Sequence, residues 1–298
     1  MRICSFLPSG TEILFALGLE DSIMGINTFE CDYPPEARTK PVVVYSKLPS
    51  GFGQREIDRQ VKDFSVAGKS LYRLDTEKLI EIRPDLIVTQ DLCHVCAASP
   101  GDLETVLACL SPAPQVLALS PRTIVDIWND ILTVGETTDR LPEAQQLVST
   151  LRAQVRDVER ESFEPAPRVL CLEWLDPPFV AGHWVPEMVA LAGGIDILGR
   201  RGEPGYEVDW GTIVSSDPDL VLAIPCGYHE QEVETELQKV PFPPEWHLLR
   251  AVRNKNVFAM DASSYFSRPG PRIADGIGVL AKLFEGIRQR ERKAGRAA

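Results

Sequence analysis

Residues 75–90, DTEKLIEIRPDLIVTQ, and residues 209–224, DWGTIVSSDPDLVLAI, carry one pattern twice. Each opens on an aspartate suited to capping a helix. Each then runs through a short helix with Leu79 or Ile213 on its apolar side and stops at Pro84-Asp85 or Pro218-Asp219. Each ends in a continuous apolar run that reads as a buried strand. Helices alternating with strands of that kind mark a parallel α/β sheet. Recurrence of the whole unit in the same order predicts two like-built lobes.

The surrounding sequence agrees. Residues 2–6 and 168–172 both read as opening strands, and Ala16-Leu17-Gly18 before Asp21-Ser22-Ile23 matches Ala190-Leu191-Ala192-Gly193 before Ile195-Asp196-Ile197. Ser9 with Glu12 reads as a capping box at the first helix. Between the blocks, Ile124, Ile127, Trp128, Ile131 and Leu132 recur at helical spacing, so 123–161 is a long helical stretch. Pro142 inside it predicts a kink or two abutting helices. The division expected is an N-terminal α/β lobe over 1–120, a connecting helix over 121–162 and a C-terminal α/β lobe over 163–298. A stiff connector would hold two Rossmann-like lobes apart around a ligand cleft and permit only small lobe motion.

Composition narrows the function. Of 298 residues, 31 are Lys or Arg and 43 are Asp or Glu, a net charge of −12, which disfavours nucleic acid and anionic membranes as partners. No apolar run approaches the ~20 residues a bilayer requires. Pro8-Ser9-Gly10 interrupts the only N-terminal apolar segment, so a leader is not read here. The expectation is a cytoplasmic protein, or a periplasmic one if a leader was removed. The 7 cysteines are odd in number and irregularly spaced, which argues against a disulfide framework. Cys4, Cys109 and Cys171 sit in or beside apolar runs as small hydrophobes.

Ligands of α/β proteins gather beyond the carboxyl ends of the strands. Beyond the strand at 86–89 stands Cys93-His94-Val95-Cys96. A structural zinc site wants a second such pair, and none exists, since His183, His229 and His247 stand alone. A redox pair, the wall of a binding cleft, and an imidazole at His94 reaching a metal that arrives with its own ligands are all open readings. No Walker A, Gly-x-Gly-x-x-Gly or Gly-x-Ser-x-Gly occurs, so nothing argues for an enzyme. Aromatics crowd the loops: Tyr33, Trp174, Phe179, Tyr206, Tyr228, Tyr265 and Phe266 among them. They either pack loops onto the core or rim a cleft for a large flat ligand, with Asp261 and Arg268 or Arg272 as polar anchors.

The chain resembles the cobalamin and iron–siderophore periplasmic binding proteins, those with a helix between their lobes. The resemblance spans nearly the whole chain. It rests on Ser5-Phe6-Leu7-Pro8-Ser9-Gly10-Thr11-Glu12, Asp32-Tyr33-Pro34-Pro35, Arg83-Pro84-Asp85-Leu86, Asp176-Pro177-Pro178-Phe179, Gly193-Gly194 and the segment from Phe266 through Pro271-Arg272-Ile273. It implies a binding protein without a prosthetic group, whose ligand is cobalamin, another corrinoid or a related tetrapyrrole or metal chelate, and which serves an ABC importer. By position it places Tyr33, Trp174, Tyr206, Tyr265 and Arg268 against the ligand. The Cys93, His94 and Cys96 loop falls where an aromatic contact is expected, with His94 as a possible axial ligand to the chelate's metal. It also implies a surface carboxylate on each lobe for a permease. Glu77 matches the first, while the second falls at Gly211, near Asp209 and Glu207. The alternative from another class is a cytoplasmic thiol- or metal-dependent enzyme or metallochaperone built on Cys93, His94 and Cys96.

Overall fold

The structure is a computed structural model and describes residues 1–27, 31–48, 51–90, 100–159 and 165–297. It divides into two compact α/β units, Met1–Pro121 with Val125–Val148, and Arg122–Ile124 with Ser149–Ala298.

The first unit is built on β1 (Ile3–Ser5), α1 (Pro8–Ala16), β2 (Ile23–Asn27), β3 (Val42–Ser46), α2 (Gln54–Val66), β4 (Tyr72–Leu74), α3 (Thr76–Ile82), β5 (Leu86–Gln90), α4 (Pro100–Leu107) and β6 (Gln115–Leu119). Its six strands run in the order β4-β3-β2-β1-β5-β6, with only β4 antiparallel to its neighbour. Val43, Ile87 and Leu79 have no solvent exposure, so sheet and helix close a core between them.

Two helices follow, α5 (Ile124–Thr137) and α6 (Leu141–Glu159), one of the two arrangements that Pro142 predicts for the 123–161 stretch. The break lies at Asp139, whose φ is +57°, and Pro142 falls in the first turn of α6, where a missing N–H costs nothing. Gly135 lets the two pack closely, because a Cβ there would stand 3.0 Å from the Arg140 carbonyl and collide with Ala144.

The second unit contains β7 (Arg168–Leu175), β8 (Pro178–Val180), β9 (Gly182–His183), α7 (Val185–Leu191), β10 (Ile195–Asp196), β11 (Arg200–Arg201), β12 (Tyr206–Glu207), α8 (Trp210–Ser216), β13 (Leu220–Ala223), α9 (Glu230–Leu237), α10 (Arg250–Arg253), β14 (Val257–Ala259), α11 (Ala262–Tyr265) and α12 (Ile273–Ala297). Its main sheet runs β12-β8-β7-β13-β14, with β10 added beside the start of β7. Strands β7, β13 and β14 are parallel, so their carboxyl ends share one edge.

The sequence repeat is a structural repeat. Asp75 and Asp209 cap α3 and α8 by accepting from the Lys78 and Thr212 amides. Arg83 and Asp217 end those helices in the left-handed region, at φ +49° and +37°. The following proline disfavours a right-handed helical conformation at both, and a left-handed C-terminal residue is the usual alternative. Asp85 then accepts from the Arg2 amide at 2.7 Å and Asp219 from the Arg168 amide at 2.8 Å, which fixes the opening strand of each lobe beside its central one.

Two local expectations fail. Ser9 and Glu12 form no capping box, because α1 already starts at Pro8 and buries both within the helix. Cys109 is exposed at the end of α4, its thiol against the Thr105 carbonyl, whereas Cys4 and Cys171 are buried as expected.

Candidate functional site

In the second unit, aromatic and ionisable side chains collect beyond the carboxyl ends of β7, β13 and β14. Trp174, near the end of β7, meets Tyr228, beyond β13, edge to face with ring centroids 5.9 Å apart. Such a pair is worth about 1 kcal/mol beyond its buried area, so each ring orients the other. Burial, with Glu236 and Glu232 nearby, pushes the Tyr228 phenol up to about 12, and it stays protonated. Trp174 also lies opposite Phe179 across the antiparallel β7–β8 pair, which puts the two side chains on one face.

Tyr206 lies on β12, opposite Val180. Its hydroxyl donates to the Leu198 carbonyl at 3.0 Å, and the Arg200 guanidinium covers one ring face at 4.4 Å. Tyr206 is thus half-buried and already oriented by its own lobe.

The 261–268 segment folds against the same edge. Asp261 caps α11 by accepting from the Ser264 amide at 2.8 Å. It also holds His229, whose Nδ1 lies 3.0 and 3.1 Å from the two carboxylate oxygens. The Ser263 amide donates to the Tyr228 carbonyl, tying α11 to that turn. Tyr265 is half-buried, but Phe266 is only 2% exposed and belongs to the core, and its carbonyl accepts from the Trp184 indole at 2.8 Å. Arg268 is 5% exposed and donates to the Ser263 hydroxyl at 2.6 Å, which makes it a brace of the segment. His183 stacks on Trp184 at the start of α7. Burial and the Arg122 charge hold its imidazole below its ordinary range.

In the first unit, Tyr33 is 43% exposed, and the Tyr33–Pro34 peptide is cis. Behind it Cys31 is buried, its thiol 3.3 Å from Thr11 Oγ1, which in turn lies 3.0 Å from Ser5 Oγ. Cys31, Thr11 and Ser5 thus form a buried polar cluster at the carboxyl end of β1. Cys93, His94 and Cys96 lie outside the described residues. Among the described residues, no group of three or more His, Cys, Asp or Glu side chains is placed to hold a metal ion.

Trp174, Phe179, Tyr206 and Tyr265 are aromatic loop and edge residues that the sequence marks by type and place. Tyr228 stands among the sequence's aromatics, but its pairing with Trp174 is not legible there. His229 reads as a lone histidine, because its partner is 32 residues away.

A family model described as periplasmic binding protein matches residues 3–264. A vitamin B12-binding protein of Vibrio cholerae is 23% identical over 284 residues, covering 93% of this chain and 86% of that protein. An ABC transporter substrate-binding lipoprotein of Bacillus subtilis is 21% identical, covering 94% of this chain and 79% of its own length. Among solved structures, the periplasmic heme-binding protein RhuT of Roseiflexus superposes with a TM-score of 0.70 at 23% identity, covering 96% of this chain and 98% of that one. The periplasmic vitamin B12-binding protein BtuF of Vibrio cholerae gives 0.65 at 20% identity, covering 96% and 97%. These relatives are named for binding and transport, and those whose compartment is named are periplasmic, so the cytoplasmic expectation finds no support among them. No helix among the described residues is long and apolar enough to cross a membrane. With a match over most of its length and two α/β lobes, the chain belongs to the periplasmic binding protein family.

Proposed function

We propose that this chain binds a flat, metal-containing macrocycle, a corrinoid such as cobalamin first and haem second, as the extracytoplasmic substrate-binding component of an ABC importer. The observation that carries this reading is the edge-to-face pair of Trp174 and Tyr228 beside Phe179, an aromatic wall at the sheet edge where α/β proteins take ligands. The names of the relatives support the same class of ligand. Trp174, Phe179 and Tyr265 present apolar surface to the macrocycle. Arg268 and Phe266 act behind them by fixing the 261–268 segment. For the permease, the exposed Glu77 in the first turn of α3 is the docking carboxylate of one lobe. Gly211, its counterpart in the repeat, brings none, so Glu207 is the nearest exposed carboxylate on the other lobe that is not a helix cap.

Calorimetric titration with cyanocobalamin and with haemin tests the reading. Saturable one-to-one binding of either, weakened by Trp174→Ala, is expected. Failure of both to bind overturns it.

A further inference from the structure

The net charge of −12 is not spread evenly over the chain. Residues 282–298 hold six Lys or Arg against two Glu, and a second basic group, Arg250, Arg253 and Lys255, lies between β13 and β14. The fold brings the two groups together at the amino ends of those strands. Asn256, only 3% exposed, is the joint. Its amide donates to the Ala251 carbonyl of α10 at 2.7 Å, its Nδ2 donates to the Asp219 carbonyl at 3.1 Å, and its Oδ1 accepts from the Arg290 guanidinium of α12 at 2.9 Å. Segments distant in sequence thus meet at one buried asparagine.

What they carry to the surface is an excess of cations. Asp217 and Asp219 are taken by Arg250, and Glu285 by Arg288. The partner of Arg290 is neutral, so its charge is not cancelled. Arg253, Lys255, Arg292 and Lys293 are exposed. These are long side chains spread over two segments, not donors converging on one small anion, and they suit a surface of many anionic groups. Leu248, in the turn that leads into α10, is 69% exposed. An exposed leucine next to Lys and Arg is the composition of segments that lie on anionic membranes. Fields in salt reach only about 8–10 Å, so a headgroup at this edge meets the basic patch and not the acidic remainder of the chain.

We propose that this basic edge of the second lobe docks on the anionic phospholipid surface of a membrane. The contact is peripheral. After Ile287 the chain has no large apolar side chain, so the end of α12 adsorbs through charge and does not insert. Each cation near such a surface is worth about fivefold in affinity, and salt screens the attraction. The aromatic wall of Trp174 and Tyr228 lies beyond the carboxyl ends of the same sheet, the opposite edge, so membrane contact leaves it open. This docking rests on the proposed function, since an importer component works beside a bilayer, and it gives the second lobe a surface that holds it there.

The test is co-sedimentation of the full chain with vesicles of phosphatidylcholine alone and of phosphatidylcholine mixed equally with phosphatidylglycerol, at about 0.1 M and about 1 M salt. The wild type is compared with two double variants, Arg253→Gln/Lys255→Gln and Arg292→Gln/Lys293→Gln. Both leave Arg290 on Asn256, and thermal unfolding is the folding control. The wild type is expected to bind the mixed vesicles at low salt, to be released at high salt and to ignore phosphatidylcholine. Each double variant should bind at least about tenfold more weakly with unchanged Tm. Equal binding to both kinds of vesicle, or mixed-vesicle binding that neither double variant weakens, overturns the docking. So does binding to polyaspartate without binding to vesicles, which would point to an acidic protein as the partner. Cyanocobalamin and haemin titrations of the same samples separate the two readings. Macrocycle binding without vesicle binding overturns the docking and leaves the proposed function standing. Vesicle binding without macrocycle binding overturns the proposed function and leaves the basic edge as a membrane surface.

Discussion

Asp130, on α5, is a carboxyl whose environment suits its charge poorly. Its Oδ2 is buried and finds no hydrogen-bond partner among the described residues. Burial, with Asp126 one helical turn earlier as a second cause, raises its pKa from 3.8 to about 7. The native state therefore holds a proton that the unfolded chain has already lost between pH 4 and 7. Its stability must fall as pH rises through that window and level off above it. For a dry carboxyl the loss between pH 5 and 7 would be about 2 kcal/mol. Asp130 is partly exposed, so solvent screening reduces this to about 1–1.5 kcal/mol. Asp130→Asn removes the charge at nearly constant shape. Any cost of the new amide is the same at every pH, so the change in the difference between variant and wild type isolates the titration. Urea unfolding of both proteins at steps from pH 5 to 8 should show the variant gaining about 1–1.5 kcal/mol on the wild type by pH 8. Parallel stability curves, or a gap that narrows toward high pH, would refute the assignment.

Three further substitutions test the frame and the site. Trp174→Ala removes the ring that orients Tyr228, and macrocycle affinity should fall tenfold or more by calorimetry while secondary structure by circular dichroism stays unchanged. Asp219→Ala should cost about 2 kcal/mol in urea unfolding and Asp85→Ala about 1. Both lose an amide partner and an arginine partner, but Asp219 is more buried and its pair with Arg250 at 2.6 Å is shorter than that of Asp85 with Arg2 at 3.1 Å, so equal losses would contradict the account. At Gly182 a Cβ would stand 2.5 Å from the Gly205 amide and 2.6 Å from the Pro204 carbonyl carbon. Gly182→Ala should therefore cost at least about 2 kcal/mol, measured as a lowered Tm, because backbone cannot move aside as a side chain can.

The frame was legible because its signals are local. A capping aspartate, a proline stop and an apolar run each act within a few residues, and both lobes carry them in register. The left-handed Arg83 and Asp217 were not legible, since a following proline disfavours the right-handed helical region without selecting the left-handed one. The capping box at Ser9 failed because Pro8 suits the first turn of a helix and shifts the start two residues earlier. At the site, residue type marked the aromatics but could not say which ring faces outward. Along the short α11, Tyr265 is half-buried and the next residue, Phe266, is in the core. The Cys-His-x-Cys pattern marks His94, while the contact of His229 with Asp261 has no local signal, because the two are 32 residues apart.

The two lobes part company at the opening strand, and that departure builds the site. In the first lobe β1 ends at Ser5 and α1 begins at Pro8. In the second, β7 runs on to Leu175, turns into β8 and β9, and reaches α7 only at Val185. The counterpart of β2 is correspondingly cut short. Strand β10 pairs only with Arg168 and Val169, and from Leu172 onward β8 takes its place beside β7 as an antiparallel neighbour. The antiparallel turn puts Trp174 and Phe179 on one face, while Tyr206, opposite Val180 on β12, falls on the other face of the new edge. Because the repeated anchors Asp85 and Asp219 hold both lobes by the same contact, the inserted hairpin alters the carboxyl edge without disturbing the core beneath it. The chemistry of the second lobe therefore resides in what was added to the repeat, and its stability in what the repeat retains.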